Sequence, residues 1–206
     1  MTQVTPIRDL KGCLEPEQVE RVIAAADKNQ RDALLVRLLW RTGIRVSELI
    51  GIRIQDIDFD NRAIAIKIQK TRKRNGKTIE RRRVIPIDRG TLDMVRDYLE
   101  WRAVFPYKGD LHFPITRQRV NQLFWRLGRR AGITKVGDPA VSKHTKLHPH
   151  ILRHSFSIHC VKNGMSIDRL QKILGHQSPT TTSVYLQYSV KDLHQDYDKV
   201  WGNEGK

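Results

Sequence analysis

The sequence predicts a mostly helical α+β fold in one domain, with a small three-stranded antiparallel sheet that carries a basic hairpin. Apolar residues recur at helical spacing along most of the 206-residue chain, whereas alternating spacing is confined to residues 57–87. Strand and helix patterns do not alternate along the chain, which argues against a doubly wound sheet.

The first helices are predicted from apolar faces and end signals. Residues 14–28 have an acidic first turn and an apolar face, and residues 31–42 are so rich in leucine that we expect them at the centre of the core. Gly43 is typical of the position just past a helix, and Ser47 is expected to cap a short helix that follows.

The sheet is predicted where the period changes. Ile64, Ile66 and Ile68 alternate with other residues, Asn75-Gly76 is a strong hairpin turn, and a second alternating run ends at Pro86. Only one acid, Glu80, accompanies the nine basic residues of this region, which are Lys67, Lys70, Arg72, Lys73, Arg74, Lys77, Arg81, Arg82 and Arg83.

The second half of the chain predicts further helices. They cover residues 89–104 and 116–131, Pro149 to about Gly164, Ser166 to about Gly175, and a segment from Pro179 that holds Tyr185. A final amphipathic segment is predicted from Val190, Leu193, Tyr197 and Trp201.

The charge points to a polyanionic partner. Lys and Arg total 38 against 22 Asp and Glu, a net charge of +16, which favours nucleic acid and leaves an anionic membrane surface as the alternative. The chain has neither a long apolar run nor the apolar core of a signal peptide. Cys13 and Cys160 form no disulfide framework or zinc pattern, so we expect a reducing cytoplasmic location, packing roles for both, and no cofactor or metal.

The C-terminal half offers the groups that metal-free cleavage of a phosphodiester requires. Arginine stabilises charge on the phosphate oxygens, lysine or histidine can protonate the leaving oxygen, and tyrosine can act as the nucleophile. Metal-dependent chemistry would require clustered carboxylates, whereas the acids of this chain are scattered.

Four short motifs carry such residues in order. They are Thr42–Leu49 with Arg45 and Glu48, His150–His154 with His150 and Arg153, Leu174–His176, and Thr181–Tyr185. His176 follows Arg153 by 23 residues, and Tyr185 follows His176 by nine. Over residues 14–201 this order resembles the tyrosine recombinase (phage integrase) family, with members of the XerC and XerD type.

The resemblance implies site-specific recombination of double-stranded DNA through a 3′-phosphotyrosine intermediate. The implied catalytic residues are Arg45, Lys70, His150, Arg153, His176 and Tyr185. Tyr185 would be the nucleophile, Lys70 the general acid, and Glu48 a residue that orients active-site groups. The two arginines and His176 would bind the phosphate, and His150 would transfer a proton or contact the phosphate. The implied DNA-binding residues are Arg72, Lys73, Arg74, Lys77, Arg81, Arg82 and Arg83.

Several alternatives remain open on the sequence alone. Lys73 and Lys77 compete with Lys70, and Tyr188 competes with Tyr185. His150 and His154 have the spacing of metal ligands on a helix but lack a matching Cys pair or zinc motif. A relaxing enzyme like a type IB topoisomerase, a noncatalytic DNA-binding protein that retains the fold, and an RNA-binding module are the other functions. Aromatic residues are only 7% of the chain, which disfavours the RNA-binding module.

The resemblance also sets expectations for organisation and assembly. We expect a leader over residues 1–13, a catalytic domain over residues 14–201 and a tail over residues 202–206, without the N-terminal DNA-binding domain that most members carry. Members act as homotetramers on two DNA sites, with a C-terminal segment docked onto a neighbouring subunit, and the free chain could be a monomer. The apolar stripe from Val190 to Trp201 fits such docking or packing on its own domain.

Overall fold

The computed structural model describes residues 12–26, 29–68, 73–74, 77–78, 81–104, 113–133, 136 and 146–175. Its helices are α1 (Pro16–Ala25), α2 (Gln30–Thr42), α3 (Val46–Leu49), α4 (Arg89–Ala103), α5 (Arg117–Arg130), α6 (Pro149–Lys162) and α7 (Ile167–Leu174). Its strands are β1 (Ile57–Asp58), β2 (Ala63–Ile68), β3 (Lys73–Arg74), β4 (Lys77–Thr78) and β5 (Arg81–Pro86). The predicted mostly helical fold with a small three-stranded antiparallel sheet is confirmed.

The sheet has the order β1-β2-β5, and both of its pairings are antiparallel. Ile64 lies opposite Ile85 and Ile66 lies opposite Arg83, so these four side chains share one face. The three isoleucines are each only 1% exposed, whereas Val84 on the opposite face is 69% exposed. Because side chains alternate between the two faces of a strand, Arg83 points to the interior on the same face as these isoleucines.

A second, two-stranded sheet joins β3 and β4. Arg74 pairs with Lys77, which leaves two residues for the connection, as the predicted Asn75-Gly76 turn requires. The turn itself lies outside the described residues, so its type stays a prediction.

Helix α2 is central to the core, as its leucine-rich sequence predicts, and packs against α1, α4 and α6. Gly43 ends it at φ 61°, and a Cβ atom at this position would collide with the ring of Phe156. Only glycine meets both conditions without strain, because other residues disfavour the left-handed region. The end of α2 is thereby packed directly onto α6.

The predicted cap of α3 is wrong. Ser47 lies inside this helix, which begins one residue after Arg45. The Glu48 carboxylate accepts a hydrogen bond of 2.8 Å from the backbone N–H of Arg45. Glu48, three residues after Arg45, therefore provides the acceptor for an N–H group at the start of the helix. Glu48 and Arg45 are therefore joined by a contact that is local to α3 and needs no other element.

The ends of α6 and α7 agree with the prediction. Pro149 occupies the first turn of α6, and Gly175 ends α7 in the left-handed conformation. Cys160 is buried on α6, and burial raises the pKa of its thiol to about 11, which agrees with the predicted packing role. Among the described residues, no helix has both the length and the apolar character that crossing a membrane requires.

Candidate active site

A cleft of about 780 Å³ opens where the start of α3 meets the starts of α5 and α6. Its polar lining includes Arg45, Arg117, Asn121, His148, His150 and Arg153, and no carboxylate of the described residues is among the side chains that line it. Segments that are far apart in the sequence therefore bring cationic and neutral hydrogen-bond donors together. Such a cleft suits a phosphodiester.

Arg153 is the buried arginine of the cleft, with only 2% of its surface exposed. Its Nη1 donates to the carbonyl oxygen of Gly43 at 2.6 Å, and its Nη2 donates to that of Leu174 at 2.9 Å. These carbonyls lie at the ends of α2 and α7, where the helix dipole favours a cation. They hold the guanidinium in place without neutralising its formal charge.

Arg45 is an accessible arginine of the cleft, with 45% of its side chain exposed. Its Nη1 lies 3.3 Å from Oε1 of Glu48, a long contact for an ion pair. A phosphate that enters the cleft can therefore reach Arg45 directly, and the buried Arg153 lines the same cleft.

Glu48 is a buried carboxylate that two arginines share. Each of its oxygens accepts one hydrogen bond of 2.9 Å from Arg83, in addition to its contacts with Arg45. Burial alone would raise the pKa of Glu48, but the hydrogen bonds and charges of Arg83 and Arg45 outweigh it and hold this pKa below its usual value. The group is therefore ionised at neutral pH.

The structure corrects the DNA-contact prediction at Arg83. Its side chain is only 9% exposed, and besides Glu48 it binds the carbonyl oxygen of Ile173 through Nε at 2.7 Å. All three nitrogens of the guanidinium are used inside the protein, so Arg83 has an internal role. Arg82 lies on the other face of β5, is 44% exposed and pairs with Asp56.

His150 lies at the rim of the cleft, one helical turn from Arg153, as the motif predicts. Partial burial, together with the charges of Arg153 and Arg45, lowers its pKa below the usual histidine value. The imidazole is therefore neutral at neutral pH, and a neutral ring can accept a proton or donate one hydrogen bond.

Metal binding finds no support in the described part of the chain. His154 is half-buried beside His150, and burial followed by the charge of His150 lowers its pKa. Among the described residues, no group of three His, Cys, Asp or Glu side chains could hold a metal ion.

Several predicted site residues cannot be placed. Lys70, Arg72, His176 and Tyr185 lie outside the described residues, and the description covers the backbone but not the side chains of Lys73, Arg74, Lys77 and Arg81. The cleft therefore brings together Arg45, His150 and Arg153, with Glu48 behind Arg45.

Sequence reasoning missed two residues of the cleft on α5. Arg117 is the first residue of this helix, and Asn121 follows one turn later on the same side. A signal was present: α5 carries five arginines and no acid, all outside the apolar face used to predict the helix. With about 3.6 residues per turn, however, Arg117 and Asn121 lie on a different side of α5 from the other four arginines, so the composition marks the helix as basic without singling out these two residues.

Comparison with known proteins agrees with this geometry. The model of the Phage integrase family matches residues 13–191. Tyrosine recombinase XerA of Saccharolobus solfataricus is 33% identical over 187 residues, which are 91% of this chain and 56% of that protein. The chain thus spans little more than half of this relative.

Solved structures show the same fold. The crystal structure of XerA recombinase matches with a TM-score of 0.72 and 28% identity, over 92% of this chain and 65% of that one. XerH site-specific recombinase, in a post-cleavage complex with its palindromic difH substrate, matches with a TM-score of 0.69 and 22% identity. This match covers 96% of the present chain and 55% of the XerH chain.

Proposed function

Because the chain belongs to the phage integrase family of tyrosine recombinases, we propose that it cuts and rejoins double-stranded DNA at a specific site. The covalent intermediate would join Tyr185 to the 3′ phosphate. One observation carries the proposal: Arg45, Arg153 and His150 converge on one cationic cleft, although the sequence separates the first from the other two by most of the described chain.

The proposed step needs neither a metal nor a cofactor. The phenolic oxygen of Tyr185 forms a bond to phosphorus while the bond from phosphorus to the 5′ oxygen breaks. The phenol loses its proton, which a neutral His150 can accept, and Lys70 protonates the departing 5′ oxygen. Arg45, Arg153 and His176 offset the charge that develops on the nonbridging oxygens. Attack by a 5′ hydroxyl reverses the step and rejoins the strand.

The partner and the assembly follow from the same proposal. The hairpin residues Arg72, Lys73, Arg74, Lys77, Arg81 and Arg82 would contact DNA phosphates without reading the bases. The active assembly would be a homotetramer on two DNA sites, with the segment from Val190 to Trp201 docked onto a neighbouring subunit. The place of action would be the cytoplasm, on the DNA of the nucleoid.

The decisive experiment traps the covalent intermediate. A pool of nicked duplexes that flank candidate sites is incubated with the full chain, and the products are separated on a denaturing gel. A nick next to the cleavage position releases a short fragment, which prevents rejoining. We expect a protein–DNA band that resists denaturation and that disappears with Tyr185→Phe, because this variant lacks only the attacking oxygen.

The matched control is Tyr188→Phe, which removes the competing phenol and should retain the band. A band that disappears with Tyr188→Phe but not with Tyr185→Phe would show that Tyr188, and not Tyr185, is the nucleophile. Binding to every duplex without a band would favour the noncatalytic DNA-binding alternative.

The pKa of His150 predicts a pH dependence of DNA binding. Partial burial, Arg153 and Arg45 lower this pKa in the free protein, whereas an adjacent phosphate favours the imidazolium and raises it. Binding then takes up a proton between the two pKa values, so affinity should rise as the pH falls through the pKa of the bound state, above which His150 stays neutral and can accept the phenol proton. One proton gives a slope of at most about one decade per pH unit. Fluorescence anisotropy of a labelled duplex at constant ionic strength measures this slope.

The slope is compared between two histidine variants of α6. His150→Gln should flatten it, whereas His159→Gln should leave it close to wild type. His159 also has a pKa lowered mainly by burial, but its ring packs 5.2 Å from that of Trp40, away from the cleft. Equal slopes in the two variants would show that His150 does not take up the proton.

A further inference from the structure

Behind Arg45 lies a buried ion pair that takes no direct part in the proposed chemistry. The side chains of Arg83 and Glu48 are 9% and 2% exposed, and they meet through two parallel hydrogen bonds of 2.9 Å. Charges are costly to bury, and such pairs often contribute little net stability. Its geometry relative to the cleft offers another reason for the pair.

The Glu48 carboxylate divides its contacts evenly between two arginines. Oε1 accepts from Arg83 Nη1 at 2.9 Å and from Arg45 Nη1 at 3.3 Å. Oε2 accepts from Arg83 Nη2 at 2.9 Å and from the Arg45 backbone nitrogen at 2.8 Å. Arg83 therefore holds the stronger side-chain bonds, and the Arg45 guanidinium is only loosely bound to the same carboxylate.

The other end of Arg83 holds helix α7. Its Nε donates to the carbonyl oxygen of Ile173, and the next carbonyl, that of Leu174, accepts from Arg153. Gly175 permits this approach, because a Cβ atom there would lie 2.9 Å from Arg83 Nη1. Two arginines thus bind consecutive carbonyls at the end of α7, and only Gly175 separates this end from His176 in the sequence.

We propose that Arg83 is a positioning residue for phosphate binding, which saturates Glu48 and so leaves the Arg45 guanidinium available to the cleft. The inference rests on the proposed function, since the phosphate is that of the scissile DNA. Without Arg83, the buried carboxylate would retain Arg45 as its one cationic partner among the described residues. Arg45 would then pair with it at closer range and withdraw from the cleft.

The first measurement needs no DNA. In the full chain labelled with ¹⁵N-arginine, the assigned Nε–H signal of Arg45 is followed by hydrogen exchange. We expect its exchange to slow roughly tenfold or more in Arg83→Met, because Glu48 now binds the side chain closely. The matched control is Arg37→Met, which also removes a part-buried arginine, one that pairs with Glu20 and Asp88. Exchange of Arg45 at the wild-type rate in Arg83→Met would overturn the proposal.

The second measurement is single-turnover cleavage of a saturating suicide duplex, corrected for the folded fraction. Arg83→Met should lower the rate constant about 30-fold while the dissociation constant changes less than about threefold, because many other phosphate contacts remain. Glu48→Gln should remove most of this effect, since a neutral amide attracts Arg45 weakly. In the Glu48→Gln variant, adding Arg83→Met should then lower the cleavage rate constant by less than about threefold. An additional 30-fold loss there would contradict a role through Glu48.

A conservative variant separates positioning from folding. Arg83→Lys keeps a charge beside Glu48 but cannot make the parallel pair, so its effects on Arg45 exchange and on cleavage should lie between wild type and Arg83→Met. If Arg83→Met does not fold, Arg83→Lys decides the question, and wild-type behaviour in both measurements would overturn the proposal. If the wild-type chain forms no covalent band, the proposed function fails and the exchange of Arg45 still decides the role of Arg83.

Discussion

Replacing Arg153 with methionine is expected to lower the cleavage rate constant by about three orders of magnitude, because the buried cation of the cleft is lost. The same change should lower the free energy of unfolding by about 3 kcal/mol, since the carbonyls of Gly43 and Leu174 lose charged donors in a dry environment. Single-turnover cleavage of the suicide duplex and urea denaturation measure the two effects.

Arg153→Lys is the matched control for charge. Lysine keeps the cation but presents one compact group, which cannot reproduce two hydrogen bonds from a planar fork to the ends of α2 and α7. We expect the unfolding free energy to recover in part, while cleavage stays at least about tenfold below wild type. Full recovery of cleavage would show that the phosphate needs only a charge at this position.

Gly43→Ala is expected to lower the free energy of unfolding by about 3 kcal/mol. The left-handed backbone contributes about 1 kcal/mol of this, and the collision of the new methyl group with Phe156 contributes the rest. For a chain of this size the melting temperature should fall by roughly 10 °C. Because the Gly43 carbonyl holds Arg153, cleavage by the folded fraction should also fall.

Gly132→Ala isolates the backbone contribution. Gly132 also has a positive φ, 71°, but a Cβ atom there would meet nothing within 4 Å. This variant should lower the free energy of unfolding by about 1 kcal/mol and cleave at the wild-type rate. Equal destabilisation by the two substitutions would mean that the contact between Gly43 and Phe156 does not limit the packing of α2 on α6.

The local elements were predictable because local signals dominate them. The leucine pattern of α2, its terminal Gly43 and the start of α6 at Pro149 each depend on residues within a few positions of one another. The cap of α3 was mispredicted because Ser47 and Glu48 both offer a side chain to a helix start, and Glu48 reaches the Arg45 amide. Proximity along the sequence could not decide between them.

Arg83 shows what a motif overlooks. Within a run of basic residues it looks like one more DNA contact, yet the alternation that buries Ile85 also turns Arg83 inward. The alternation is visible in the sequence, but the sequence does not reveal which groups accept the hydrogen bonds of Arg83. Glu48 and Ile173 reach Arg83 from α3 and α7, which only chain packing brings beside β5.

The sequence by itself determined the fold class and the family resemblance, because spacing within helices and motif order are properties of the chain. Only the tertiary structure decided that Arg45 and Arg153 line one cleft, with Arg45 exposed and Arg153 buried. It also decided that one carboxylate serves both Arg45 and Arg83. The physical reason is that burial and charge pairing depend on which distant helix ends meet. At this site the ends of α2 and α7 meet the start of α6 through two hydrogen bonds from Arg153.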